Sequence, residues 1–283
     1  LLAGVPPQSG LYACLLPMVL YAIFGSSKQL VVGPVAVAAL LVTATVSDLA
    51  PRYSEAYLGI TTLLCLQVSL LLGILRLTRM GGLVTLLSHP VINGFVNAAA
   101  LLIIISQLPG LTGISIDNAT NPSVALTAIV TQLNQINPVA LSFGLLALTF
   151  LSVSRPAISW LLRISQLQNA DTHPLTRVGP MFCAIVAAGA VALFELENNL
   201  TTVGAIPSGL PNISLPPMSL TLWLELMPAA LIIAIVAYVE SYSIGTTLAT
   251  RSRDRVNANQ ELFALSLANL GAGMTGAYPV AGS

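Results

Sequence analysis

Apolar runs separated by charged or Pro/Gly/Asn-rich breaks recur along the whole chain, at about Leu11 to Phe24, Pro34 to Leu49, Ala56 to Leu77, Pro90 to Leu108, Pro138 to Val153, Val178 to Phe194, Leu226 to Ala249 and Leu262 to Thr275. A straight helix needs roughly 20 residues to cross about 30 Å of hydrocarbon. The pattern therefore predicts eight crossings, of which the first two and the last are too short to span alone. Short spans with Gly and Pro at their ends predict broken helices. Irregular backbone is tolerated at membrane depth only where protein buries it or it lines a cavity, and in secondary transporters such breaks build the substrate site.

Composition makes the bilayer the solvent for this chain. Of its 283 residues 55% are hydrophobic and only 7% charged, against about 25% charged in a soluble domain. Ten Lys and Arg balance ten Asp and Glu, so no basic face exists for a nucleic-acid backbone. Cys14, Cys65 and Cys183 are far apart inside apolar runs, which argues against a disulfide framework or a zinc cluster. The chain opens on Leu1 without an initiator Met and closes on Gly282-Ser283. It reads as a fragment at both ends with no signal peptide, and transport is not expected of it alone.

Basic residues orient the spans, because positive loops stay in the cytoplasm. If the loop holding Lys28 is inside, alternation puts Arg76, Arg79, Arg155, Arg163, Arg177, Arg251, Arg253 and Arg255 inside as well, and only Arg52 outside. The segment Arg155 to Gln168, with Trp160, Leu161, Leu162 and Ile164 among polar residues, reads as an interfacial helix. The stretches from about Pro109 to Asn137 and Glu195 to Ser219 read as outside loops.

Two segments carry the first chemical signal, Gly33-Pro34-Val35-Ala36-Val37 and Tyr278-Pro279-Val280-Ala281-Gly282. Each is extended and then meets Pro, which suits the first turn of a helix. Seven crossings apart, they run in opposite directions, as in an inverted repeat. Half-helices meeting end to end would aim their positive N-termini and free N–H groups at one anion. The same residues also suit ordinary kinks in an Ala- and Val-rich chain.

Glu240 is the second signal, the one acidic residue well inside an apolar run; the other nine lie at span ends or in loops. A carboxyl at membrane depth usually faces a cavity and pairs with an ion, a proton or a cation, the alternative being a protonated acid bonded to a neighbouring helix. Ser241 is expected to bond its own helix, and Ser243 to assist an ion. Asn93 and Asn97, at i and i+4, are expected to hydrogen-bond across to another helix. His89 and His173 sit at span edges with nothing at metal-ligand spacing, and HExxH, GxSxG and Walker motifs are absent. An enzyme or an ATP-driven pump has no residues to run on.

The stretches Leu2-Ala-Gly-Val-Pro-Pro-Gln-Ser-Gly-Leu-Tyr-Ala13, Tyr21-Ala-Ile-Phe-Gly-Ser-Ser-Lys28, Val32-Gly-Pro-Val-Ala-Val37, Ile206-Pro-Ser-Gly-Leu-Pro211, Asn259-Gln-Glu-Leu262 with Asn269, and Tyr278-Pro-Val-Ala-Gly-Ser283 together resemble the SulP family of sulfate permeases. The resemblance implies an all-α polytopic membrane protein, part of a 7+7 inverted-repeat fold with half-helices at its third and tenth elements. Residues 1–283 would be family elements 2 to 9 and the start of 10, without the cytoplasmic STAS domain.

By the same resemblance the anion site falls on Pro34, Val35, Ala36, Val280, Ala281, Gly282 and Ser283. Glu240, with Ser243, becomes the proton or sodium coupling site. An acid there favours coupled uptake over exchange, whereas Val35 offers no hydroxyl and leaves the anion open. The expectation is secondary active transport of a small inorganic anion, foremost sulfate:proton symport. The alternatives are sodium-coupled bicarbonate uptake, and a passive anion channel or non-transporting sensor. No cofactor beyond the coupling ion H+ or Na+ is implied, the full-length protein is expected to be a homodimer, and the location a bacterial inner membrane.

Overall fold

The computed structural model describes residues 2–82, 89–114, 122–164, 174–196, 199, 200, 202, 209 and 219–283. Among these, ten α-helices and two short strands follow in the order α1 (Pro7–Tyr12), α2 (Leu16–Phe24), β1 (Val32–Gly33), α3 (Ala36–Val46), α4 (Glu55–Leu77), α5 (His89–Thr112), α6 (Pro122–Thr131), α7 (Pro138–Ile164), α8 (Gly179–Leu193), α9 (Leu220–Ser252), α10 (Ala258–Met274) and β2 (Ala281–Gly282). Among the described residues four stretches are long and apolar enough to cross a membrane, Pro7–Phe24, Glu55–Leu77, Pro138–Ile164 and Leu220–Thr250. With 11 residues, α3 reaches only about 16 Å at 1.5 Å per residue. It is the short half-helix that the sequence predicts.

Two compact units divide the chain, residues 1–103 with 205–283, and residues 104–204. In the first, α10 lies between α2 and α4. Its sequence explains this position. A Cβ on Gly271 would run into Leu16 and Leu20, and one on Gly273 into Cys65 and Leu66, so bare backbone lets both neighbours approach. Apolar burial does not drive helices together in lipid, and close packing of small residues with interhelical hydrogen bonds does. Ser69 and Ser266 supply the bonds reciprocally, each hydroxyl donating to the other's carbonyl at 2.7 and 2.8 Å. Between α4 and α9, Gln67 Nε2 donates to the Trp223 carbonyl at 2.6 Å.

A carboxylate closes one end of this packing. Glu261 lies at an expected span end, yet it is fully buried. It accepts from Tyr21 Oη (2.7 Å), Ser26 Oγ (2.6 Å), Ser26 N (2.9 Å) and Ser27 N (3.1 Å). Its helix is started by Asn257, whose side chain accepts from the N–H groups of Asn259 and Gln260, a cap that satisfies donors no helical turn can reach. At the same end Lys28 pairs with Asp254 at 3.5 Å and Gly81 N donates to Asn259 Oδ1 at 3.1 Å. The loops holding Lys28, Arg79 and Arg253 therefore share one end. Arg52 lies at the other, where Tyr53 N donates to the Gly4 carbonyl and Tyr57 Oη to that of Ala3, both at 2.9 Å. The basic loops of this unit are distributed as the alternation requires.

In the second unit α7 and α8 pack through Phe150 and Phe182, stacked with centroids 5.9 Å apart. Asn137 starts α7 by accepting from Val139 N at 2.9 Å. Three expectations are corrected here and in the first unit. Arg155 to Ile164 is no separate interfacial helix but the continuation of α7 through Pro156; proline removes one hydrogen bond without ending a helix whose neighbours tolerate it. The expected loop before Pro138 contains α6. The first run begins at Pro7 rather than Leu11 and is two helices interrupted at 13–15, because Pro6-Pro7 starts a helix earlier than the apolar pattern does. Residues 165–168, Asn118, His173 and Ile206 to Leu210 apart from Gly209 lie outside the described residues.

Candidate functional site

Where the two Pro-bearing segments meet, the backbone is extended and paired. Strands β1 and β2 are antiparallel, Val32 opposite Gly282 and Gly33 opposite Ala281, and Ser283 N donates to the Val31 carbonyl at 2.8 Å. Unpaired backbone polar groups are too costly at membrane depth, so the two interrupted segments satisfy one another. The sequence predicts extended residues here but not their pairing, which joins positions some 250 apart.

Beyond β1 the chain turns into α3. Its N-cap Val35 is extended at φ −111° and offers no side-chain cap. The first intrahelical bond is Ala39 N to the Val35 carbonyl at 3.0 Å. The N–H groups of Ala36, Val37 and Ala38 thus have no helical partner, and they point the positive end of the helix at the crossing. Pro34 is exposed and Ala36 half-buried, so this end is open to a ligand.

The β2 arm is different in kind. Val280, Ala281 and Gly282 are buried and Ser283 is exposed. Val280 N donates to Asn269 Oδ1 (3.0 Å), Asn269 Nδ2 donates back to the Val280 carbonyl (3.1 Å), and Gly282 N donates to Ser241 Oγ (2.7 Å). With the Ser283 N–H also engaged, this arm offers the Ser283 hydroxyl to a ligand, and its backbone serves to hold the crossing in place. Asn269, itself fully buried, is the positioning residue that sequence reasoning placed in a motif without a role. The signal was an amide inside an apolar helix 11 residues before the break.

Helix α9 brings the acid to the crossing. Val35, Val37, Ala237 and Ala281 form one buried cluster with Val236 packed against it. Glu240 lies three and four residues beyond Ala237 and Val236, which places it on that same helix face. Ser241 Oγ donates to the Ala237 carbonyl, as expected of its own helix, while accepting from β2. Glu240 Oε2 is buried without a hydrogen-bond partner among the described residues. An orphaned carboxylate oxygen at such depth fits a proton or a small cation as its partner. Ser243, half-buried, follows within one turn.

The weaker candidates fall away from this place. Asn97 stands exposed on α5 rather than buried against another helix, and the side chains of Asn93 and His89 lie outside the described residues. Among the described residues no group of His, Cys, Asp and Glu could hold a metal ion, and the three cysteines are free.

Interrupted segments that meet at a paired crossing are the arrangement from which secondary transporters commonly build their binding sites. The sulfate permease family matches this chain over residues 1–283, and the chain belongs to that family. It is 35% identical to the chloroplastic sulfate transporter 4.1 of Arabidopsis thaliana, over 100% of this chain and 40% of that one. It is 32% identical to a probable sulfate transporter of Mycobacterium tuberculosis, over 99% and 47%. The chain thus spans less than half the length of these relatives. Among solved structures it resembles SLC26A9, with a TM-score of 0.86 at 24% identity, covering 100% of this chain and 45% of that chain. The transmembrane domain of the cyanobacterial bicarbonate transporter BicA gives 0.79 at 20% identity, with coverages of 100% and 68%. These structural matches establish the fold, an inverted-repeat transporter architecture of apolar helices. The family's members are transporters and not enzymes.

Proposed function

We propose that the full-length protein is a multi-pass secondary transporter of a small inorganic anion, and that the anion is sulfate carried in with a proton. The observation that carries this reading is the orphaned Glu240 oxygen on the α9 face that packs against Val35, Val37 and Ala281. The free N–H groups of Ala36, Val37 and Ala38, with the Ser283 hydroxyl, supply donors to the anion. Two negative charges close together in a low-dielectric site oppose one another. A charged Glu240 therefore disfavours the anion and a protonated one admits it, which links the two in one step. The names of the relatives support sulfate as the cargo. A homodimer in a bacterial inner membrane completes the proposal.

The test is labelled sulfate uptake into proteoliposomes of the full-length protein under imposed proton or sodium gradients. Accumulation driven by an inward proton gradient is expected. In Glu240→Gln, gradient-driven uptake should fall at least about 100-fold, the size of effect that loss of a positioned proton carrier produces, while exchange of labelled for unlabelled sulfate continues. Unchanged proton dependence in that variant would sink the assignment of Glu240. Sodium-driven bicarbonate uptake without competition by sulfate would replace both cargo and coupling ion, and gradient-independent flux would make the protein a passive channel.

A further inference from the structure

At the end of the first unit that carries Lys28 and Arg253, a cavity of about 600 Å³ opens beside α2, α4 and α10. Its charged lining is Arg76 and Arg79. Among the described residues neither makes an ion pair, Asp254 being engaged by Lys28. Glu261, the nearest acid along α10, is buried behind the Ser26-Ser27 loop with four donors of its own, so it leaves the arginines uncompensated. Arg79 sits just past the end of α4 in the left-handed region at φ 56°, a conformation that costs a non-glycine residue energy.

The other wall is apolar and faces outward. Ile23, Phe24 and Phe263 line the same cavity and are 66%, 36% and 40% exposed, Phe24 and Phe263 meeting edge to face at 5.6 Å. Gln260 fixes the rim by donating to the Phe24 and Gly25 carbonyls at 3.2 and 3.3 Å. Two guanidinium groups without an ion-pair partner among the described residues, next to an exposed aromatic pair at the tip of membrane-spanning helices, match a molecule with an anionic head and an acyl tail. Arg prefers phosphate because its planar donors engage two oxygens at once. The basic-loop asymmetry assigns this end to the cytoplasm, and basic pockets between helices on that side suit anionic lipid head groups.

We propose that this cavity binds the phosphate head group of an anionic phospholipid from the cytoplasmic leaflet, Arg76 and Arg79 holding the phosphate while Phe24 and Phe263 receive the first carbons of its chains. The occupant seats against the ends of α2, α4 and α10, the helices that pack behind the anion crossing, and so stabilises the folded unit by mass action.

The full-length protein in detergent is titrated with short-chain phosphatidylglycerol, with the corresponding phosphatidylcholine and with inorganic phosphate, and thermal unfolding is followed. Phosphatidylglycerol should raise the unfolding temperature saturably, and the other two should not. In Arg76→Gln/Arg79→Gln the apparent affinity should fall roughly thirty-fold, each arginine near a lipid surface contributing about fivefold. Arg76→Lys/Arg79→Lys, which keeps the charge but loses the two-oxygen fork, should bind between the parent and the Gln variant, and this keeps the test decisive if the Gln variant folds poorly. An equal shift with inorganic phosphate would make this a free-anion site, an equal shift with phosphatidylcholine an apolar groove without headgroup selection, and an undiminished shift in the Gln variant would place the lipid elsewhere. Each of these overturns the proposal.

Discussion

Two carboxylates, 21 positions apart, occupy opposite situations, Glu261 fully buried and Glu240 half-buried. Glu261 at the end of α10 is surrounded by four donors from Tyr21, Ser26 and Ser27. Glu240 in the middle of α9 keeps an oxygen with no partner among the described residues. A satisfied buried charge holds structure together. An unsatisfied one is costly unless it exchanges a proton or cation, so it is retained for what it binds. The difference separates a fastening from the group to which the proposed function gives the work.

Substitution of the fastening should give the largest loss of stability. Glu261→Leu leaves the Tyr21 hydroxyl and the Ser26-Ser27 donors unpaired and is expected to cost about 3 to 5 kcal/mol, read as a fall in unfolding temperature of the full-length protein in detergent; a fall of under a degree would erase the contrast. Asn269→Leu comes next, because it orphans both the N–H and the carbonyl of Val280 and should cost about 2 to 4 kcal/mol, with sulfate uptake falling in parallel. Ser241→Ala removes the acceptor for Gly282 N and is expected to cost about 1 to 2 kcal/mol in the same assay. Glu240→Gln closes the series with an expected change within about 0.5 kcal/mol, although under the proposed function it should abolish coupling. Marked destabilisation by Glu240→Gln would show that the acid is a second fastening.

The unpartnered acid was legible in the sequence, and the fastenings mostly were not. Glu240 interrupts an apolar run, and an acid there is visible without any knowledge of neighbours. The half-helix α3 was legible from Pro34 and the shortness of the run that follows it, as were the extended residues around Pro279. Ser241 bonds its own helix as its position suggests, but that its oxygen also receives Gly282 N depends on contact between segments 41 residues apart. Glu261 reads as an ordinary first-turn acid, since nothing local announces that Tyr21 will reach it.

Apolar pattern alone also misjudges which helix is central. In α8 large residues such as Met181, Phe182 and Ile185 are more than half exposed. In α10 the buried face is built from Ala, Gly and Asn together with Leu262 and Leu265. High hydropathy marks the side turned away from protein, and small or polar residues mark the side packed within it. That inversion explains why the weakest-looking run proves to be the hub between α2 and α4.

The Glu261 fastening also sets an order of events during synthesis. Ser26 and its acceptor are 235 residues apart in the chain, an interval of roughly 10 to 50 s at 5 to 20 residues per second. Throughout that time α2 has been made, while the carboxylate that closes its end has not. Tyr21 and the Ser26-Ser27 amides must meanwhile be served by water or by an attendant of the insertion machinery. Until Glu261 is made, the end of α2 has no protein acceptor for these donors, so the first helices are closed by one of the last.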